Sequence, residues 1–178
     1  RIQIYEYDPI NNRFSYLDSI GITGVSGEDI GYLDNPQGVF VNESNIFVGD
    51  TKNGRVMIYN HRNEYVTNIS SMDVPKGLCE WNSRLFVADS GSHCIRIYQQ
   101  NNQVDCIGRE DESGSGNYRF ENPTDVAVDP NGFIYVCDYK NHRIQLYTPY
   151  PEMAYFKTLG VTKEYGDDNN HFYYPYAI

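Results

Sequence analysis

The 178-residue chain is acidic: 24 Asp and Glu residues stand against 14 Lys and Arg, for a formal net charge of −10. Because phosphate binding draws on clustered basic side chains, this balance argues against a nucleic-acid partner. No apolar run approaches the roughly 18 residues of a membrane span, so we expect no membrane insertion in this segment.

A repeated pattern runs through the whole chain. Residues 1–20 open with the tail of a unit, three full units follow at approximately residues 35–70, 74–108 and 122–160, and residues 172–178 begin another. In each full unit an Asp is followed nine positions later by a Tyr, and the pairs are Asp50 with Tyr59, Asp89 with Tyr98, and Asp138 with Tyr147. Such regular spacing indicates a repeat architecture.

Each full unit is predicted to contain four short strands. The first follows a Pro, and a turn such as residues 129–132 comes next, where Pro130 pre-sets φ and Gly132 is free to take a positive φ. The second strand ends on the Asp, and two alternating stretches complete the unit. Four-stranded antiparallel units that repeat in this way predict an all-β fold, a β-propeller. Innermost strands should contain Val39, Leu78 and Val126, and the three repeated tyrosines should occupy equivalent positions.

Residues 122–147 resemble the NHL repeat. The resemblance lies in Asn122-Pro123, in Ile134-Tyr135-Val136 before Asp138, and in Asn141-His142-Arg143 before Tyr147. Two linkers, residues 108–120 and 160–172, agree with it. NHL propellers usually close with six blades, so we expect residues 1–178 to form one partial propeller: half a blade, three full blades and the first strand of another, with the missing blades in a longer parent.

The resemblance leaves function open, because NHL proteins include enzymes, RNA binders and protein scaffolds. We predict no catalytic, cofactor-binding or metal-ligating residues and no cofactor. The main hypothesis is a non-enzymatic scaffold that binds a protein partner or belongs to a larger assembly. RNA binding is disfavoured because linker acids oppose the basic residues of the turns. These acids are Glu110, Asp111, Glu112, Asp167 and Asp168.

A metal-dependent lyase or hydrolase is the alternative. In the peptide-amidating lyases, which share this type of fold, zinc histidines directly follow the Pro of some innermost strands. The matching residues are Gln37, Lys76, Thr124 and Tyr176, none of which is His. Such a site would therefore have to lie in the missing blades, although polar residues near Gln37 and Asp125 remain candidate ligands. His93 and His142 share one repeat position and are predicted to be exposed in turns.

Charged pairs recur where the second strand meets the third. Asp50 with Arg55, and Asp138 with Arg143, are predicted to face each other across a hairpin and to add about 0.2–1 kcal/mol. In the middle unit Cys94 stands where the others have Arg, which suggests that Asp89 has lost its salt bridge.

The four cysteines favour a disulfide. A three-residue loop at residues 99–101 would place Cys94 opposite Cys106, whereas a four-residue loop would place Cys94 opposite Ile107. Cys79 and Cys137 are interpreted as buried small hydrophobes. Asn42 and Asn68 begin glycosylation sequons. Together these features favour an extracellular, secreted protein, with a cytoplasmic location as the alternative.

Overall fold

The computed structural model describes residues 1–178 as fourteen β-strands and two single-turn 3-10 helices, Thr51–Asn53 and Tyr139–Asn141. The strands, in chain order, are β1 (Ile2–Asp8), β2 (Arg13–Ile20), β3 (Pro36–Val41), β4 (Asn45–Asp50), β5 (Arg55–Asn60), β6 (Tyr65–Ile69), β7 (Pro75–Trp81), β8 (Arg84–Asp89), β9 (Cys94–Gln99), β10 (Asn102–Gly108), β11 (Pro123–Val128), β12 (Ile134–Asp138), β13 (Arg143–Tyr147) and β14 (Tyr155–Leu159).

These strands form three four-stranded antiparallel sheets and one two-stranded sheet. The full sheets contain β3 to β6, β7 to β10 and β11 to β14, each in sequence order, and β1 pairs with β2. The all-β propeller-blade prediction is confirmed, and the sheets do not close into a ring. None of the helical segments is long and apolar enough to cross a membrane.

The first strands of the three blades lie side by side at the centre. Gly38 in β3 packs so closely on β7 that a Cβ there would lie 2.0 Å from the Lys76 carbonyl oxygen. A Cβ at Gly77 in β7 would likewise lie 1.9 Å from Asp125 Oδ1 in β11. The innermost strands therefore contain Val39, Leu78 and Val126.

The core lies between the blades, where sheet faces stack. One cluster joins Phe86, Ile95 and Ile97 of the second blade to Val126, Ile134 and Tyr147 of the third, and equivalent clusters join the preceding sheets. The repeated tyrosines share one register, because Tyr59, Tyr98 and Tyr147 pair with Ile46, Leu85 and Ile134. Stacking of this kind buries both faces of the middle strands.

The hairpin between β9 and β10 differs from both sequence-based alternatives. Its loop has two residues, Gln100 and Asn101, both with positive φ (50° and 64°), which fits the right-handed twist of the strands. A bulge at Val104 then shifts the register, so that Cys94 pairs with Gly108, and Cys106 pairs with Arg96. All four cysteines are free thiols. The predicted Cys94–Cys106 disulfide is therefore absent, because the two residues are diagonal neighbours instead of an opposed pair.

Candidate functional site on the linker face

A fully buried aspartate ends the second strand of each blade. In the third blade, Asp138 Oδ1 accepts the Glu121 backbone N–H at 2.7 Å, and Oδ2 accepts Arg143 Nε at 2.7 Å. The first blade repeats this arrangement, since Asp50 accepts the Asp34 N–H and Arg55 Nε at 2.7 and 2.8 Å. Each carboxylate therefore holds the entry to the first strand against the end of the second.

Arg55 and Arg143 also clamp the linkers that precede their blades. Arg143 donates to the carbonyl oxygens of Ser115, Gly116 and Arg119 at 2.9, 2.9 and 3.1 Å. Arg55 donates to three carbonyls of the earlier linker, those of Glu28, Asp29 and Tyr32. The two linkers, residues 21–33 and 108–120, align without gaps, and the six acceptors fall at equivalent positions. The predicted cross-hairpin pair is thus only part of what these arginines do.

The middle blade keeps its salt bridge from a different position. Arg96 Nε donates to Asp89 Oδ2 at 2.7 Å, so the idea that Cys94 releases Asp89 from pairing is wrong. Only residues 70–74 connect this blade to the previous one. Asp89 accepts the Asp73 and Val74 backbone N–H groups there, and this short connection has no long loop for an arginine to clamp.

The repeated histidines join each blade to the next. His93 Nδ1 accepts the Asn122 backbone N–H at 3.1 Å, and His142 Nδ1 accepts that of Tyr174 at 3.2 Å. His142 is only 6% exposed, and His93 is half-buried. The expectation that both are exposed is therefore wrong, because each ring turns inward to reach the backbone that enters the next blade.

A cavity of about 330 Å³ lies at the centre between the innermost strands. It brings together the four residues that the lyase comparison singles out, and Asp125 with them. These are Gln37, Lys76, Thr124 and Tyr176. The Tyr176 hydroxyl bonds to Gln37 Oε1, and Lys76 Nζ lies 5.7 Å from the Tyr176 ring centroid.

Burial shifts the pKa of four groups that line this cavity, among them one amine and one carboxyl. Burial lowers the pKa of Lys76 and raises the pKa of Asp125. The Asp125 carboxyl accepts the backbone N–H groups of Val126 and Ile178 at 3.0 and 2.9 Å. The cavity can therefore offer one cation and one carboxyl to a small polar ligand. Nowhere in residues 1–178 do three His, Cys, Asp or Glu side chains gather in a way that could hold a metal ion.

The linkers and the turns between second and third strands form one face of the molecule, called here the linker face. Backbone bonds join them, for example from Lys163 N to the Asn141 carbonyl at 2.9 Å. A contiguous group of aromatic rings lies on this face, with neighbouring centroids 4.3–6.0 Å apart. This group, the tyrosine surface, consists of Tyr139, Tyr165, Tyr173, Tyr174 and Tyr176, which surround the buried ring of His142.

The sequence analysis did not single out the tyrosine surface. The sequence feature that could have revealed it is the density of tyrosines late in the chain, since four of them fall between positions 165 and 176. Tyr165 and Tyr173 are 66% and 65% exposed. Exposed aromatic rings in one patch mark a surface suited to binding.

The two sequon asparagines are half-buried and hydrogen-bonded. Asn42 Oδ1 accepts the backbone N–H groups of Ser44 and Asn45, and Asn68 Nδ2 donates to Ser70 Oγ at 2.8 Å. Glycosylation at Asn42 and Asn68 stays a prediction. The extracellular location stays one too, and it now depends on the sequons alone.

Comparison with known proteins identifies the repeat. The family model of the NHL repeat matches residues 120–147. These residues are an NHL repeat. The NHL repeat begins at the end of one linker, includes the buried Asp138–Arg143 pair and His142, and ends on Tyr147. The family resemblance seen in the sequence is therefore confirmed. No curated protein matches the chain.

Solved structures share the fold at low identity. A structural-genomics protein of unknown function from Bacteroides thetaiotaomicron is 17% identical with a TM-score of 0.73, over 98% of this chain and 48% of its own. An auxiliary nutrient binding protein from the same organism is 14% identical with a TM-score of 0.61, over 84% and 43%. Hydrazine synthase from Kuenenia stuttgartiensis is 13% identical with a TM-score of 0.63, over 88% and 41%.

The chain thus spans less than half the length of each of these proteins. One is described as a binding protein and another as an enzyme. The likeness therefore establishes the propeller fold alone.

Proposed function

We propose that this chain is a non-enzymatic binding module whose linker face contacts a protein partner. The tyrosine surface is the observation that carries the proposal. Tyrosine is enriched in the buried centres of protein interfaces, because its ring supplies large contact area and its hydroxyl adds a hydrogen bond. A tyrosine side chain also has few rotatable bonds, so ordering it on binding costs little entropy.

The contacts that hold these rings in place support the proposal. His142 is buried beneath them and bonded to the Tyr174 backbone, which holds the linker in place. The linker that carries Tyr165 and Tyr173 is also held by Arg143, which donates to Thr162 Oγ1 at 3.2 Å. A surface held in one conformation before binding loses less conformational freedom on association.

The charge of the linker face indicates the chemistry of the partner. Acidic side chains outnumber basic ones in each of the three long linkers, residues 21–34, 108–121 and 160–173. Complementary charge steers association and disfavours partners of like charge. The partner is therefore expected to present a basic surface.

The second candidate is a channel-centred lyase or hydrolase, which the shared cavity at Gln37, Lys76, Thr124 and Tyr176 favours. Its test is the metal content of the purified protein together with turnover. If the protein holds a stoichiometric metal ion whose removal abolishes a measured reaction, the enzyme is the correct function and the binding module is wrong.

Differential capture tests the binding proposal. The full chain and a Tyr165→Ser/Tyr173→Glu variant are immobilised and exposed to extract of the source organism, with bound proteins quantified by mass spectrometry. These replacements are the residues at the equivalent positions of the preceding linker, Ser113 and Glu121, so the fold should tolerate them. A Tyr7→Ser variant on the β1–β2 hairpin, whose tyrosine is also exposed, is the matched control.

A partner that is retained by the wild type and the control, reduced at least tenfold by the double variant, and bound directly once purified supports the proposal. Equal retention by all three chains would overturn it.

A further inference from the structure

We infer that Tyr165, Asp167 and Tyr173 form a notch for the cationic end of a lysine or arginine side chain of the partner. The inference rests on the proposed function and specifies what the linker face recognises. The notch is lined by these three residues and Gly166.

The geometry of the notch suits a cation. The Tyr165 and Tyr173 rings lie edge to face, with centroids 5.3 Å apart and planes at 74°. A cation within about 6 Å of an aromatic ring centroid is attracted by the ring quadrupole, and two rings at this angle offer two walls. The Asp167 carboxylate on the same notch supplies an opposite charge.

Asp167 is available for an external partner. Its neighbour Asp168 accepts from the His171 ring at 2.7 Å and from the Asn170 backbone N–H at 2.8 Å. Asp167 makes no hydrogen bond or ion pair within residues 1–178, and it is exposed. Its negative charge is therefore neither neutralised nor used to hold the linker.

Both rings of the notch are supported from within. The buried His142 ring lies 5.4 Å from Tyr165 and 6.0 Å from Tyr173, and it is stacked on Tyr173 with planes at 27°. The notch is thus held open by contacts inside the protein, so that binding a cation does not require the rings to be ordered first.

Comparison between linkers shows that the fold does not require these residues. Residues 108–121 and 160–173 align without gaps, and the equivalents of Tyr165, Asp167 and Tyr173 are Ser113, Ser115 and Glu121. Ser113 and Ser115 are exposed, and Glu121 is half-buried, with a complete blade following them. Positions 165 and 167 therefore face solvent in this linker geometry when a blade follows, and their side chains are free to serve recognition.

A peptide titration tests the notch. Acetylated five-residue peptides with a central arginine, lysine or norleucine between glycines are titrated into the full ¹⁵N-labelled chain, and amide shifts are followed by NMR. We expect saturable millimolar binding of the arginine and lysine peptides, with shifts at residues 165–167 and 173, and no binding of the norleucine peptide.

Variants make the test specific. Tyr165→Ser and Asp167→Asn should each weaken binding at least fivefold. Glu28→Gln, which removes a charge at the position of the first linker equivalent to Asp167, should leave it unchanged. Equal binding of norleucine, shifts elsewhere, or insensitivity to both notch variants would overturn the inference.

Choline is titrated in the same way to test whether the notch binds a free cation instead of a protein side chain. Saturable binding of choline at the notch without binding of either basic peptide would overturn the assignment to a protein side chain. The two proposals also fail separately. If the peptides do not bind but partner capture still depends on Tyr173, the notch is wrong and the binding module stands. If the peptides bind at the notch and capture is unaffected by the variant, the binding module is wrong.

Discussion

Arg96 donates from Nε to Asp89 Oδ2 at 2.7 Å, two residues further along its strand than the arginines of the other two blades. The length of the preceding linker explains the difference. Where the linker is long, the arginine stands at the start of the third strand and also binds linker carbonyls. Where it is short, the guanidinium reaches the same carboxylate from within the strand, and its other nitrogens bond to Ser92, Gln103 and Glu110. The buried carboxylate is neutralised in both cases.

Removal of Arg143 should be strongly destabilising. Arg143→Ala leaves the buried Asp138 carboxylate without its cation, a change that typically costs about 3–5 kcal/mol of folding free energy. Urea unfolding measures it. Lys52→Ala is the control, because the Lys52–Asp34 pair is long (3.8 Å), its lysine is exposed, and it should contribute less than about 1 kcal/mol. Equal losses in the two variants would contradict the structural role of Arg143.

The close approach of the innermost strands predicts a steric effect at Gly77. An added Cβ would lie 1.9 Å from Asp125 Oδ1 and 2.7 Å from its Cα, so Gly77→Ala must push two strands apart. Overpacking of this kind costs about 1–3 kcal/mol. Gly31→Ala, where a Cβ meets nothing within 4 Å, is the matched control. Thermal unfolding should separate the two, and a Gly77 variant as stable as the control would contradict the described packing.

The raised pKa of Asp125 predicts a pH-dependent effect of Asp125→Asn. Because burial raises the carboxyl pKa in the folded state above the ordinary aspartate value of 3.8, the unfolded chain releases this proton first as pH rises. The wild type therefore loses stability between pH 3.8 and the folded pKa, whereas asparagine does not titrate. The stability of the variant relative to wild type should grow from pH 3.5 to pH 7 in paired urea titrations. A difference that stays constant or shrinks would mean that burial does not raise this pKa.

The thiols should react slowly with alkylating reagents. Burial raises the pKa of Cys79, Cys94 and Cys137 to about 12, so these thiols stay protonated at neutral pH. Cys79 and Cys106 are both half-buried, but burial raises the pKa of Cys106 less, so Cys106 should be alkylated first. Mass spectrometry of the native protein should therefore show one modified thiol before the others, and Cys106→Ser should remove it. If the intact mass were two units below that of the fully reduced chain, and no thiol reacted before reduction, the disulfide would be present after all.

The fold could be predicted from the sequence because every repeat has the same local pattern of residues. The alternation of each strand, the Pro that starts each unit and the spacing from Asp50 to Tyr59 all recur, and every copy forms the same pairing. A repeat that is consistent with itself at several positions specifies its sheets strongly.

What the sequence did not reveal depends on contacts between units. The Arg143 clamp joins residues more than twenty positions apart, and the inward turn of His142 depends on the backbone of the next blade. The Cys94 register was missed for a local reason, since Gln100 and Asn101 adopt a two-residue turn without glycine and the bulge at Val104 then displaces Cys106.

Hydrogen exchange of an Arg143→Gln variant tests most directly the central structural claim, that the buried Asp138–Arg143 pair fixes residues 108–121, one of the three long linkers of the linker face. The account predicts faster exchange in residues 112–121, where the Arg119 and Glu121 amides are bonded, and unchanged exchange in residues 25–34, whose clamp is Arg55. Unchanged protection in residues 112–121, or an equal loss in both linkers, would contradict it.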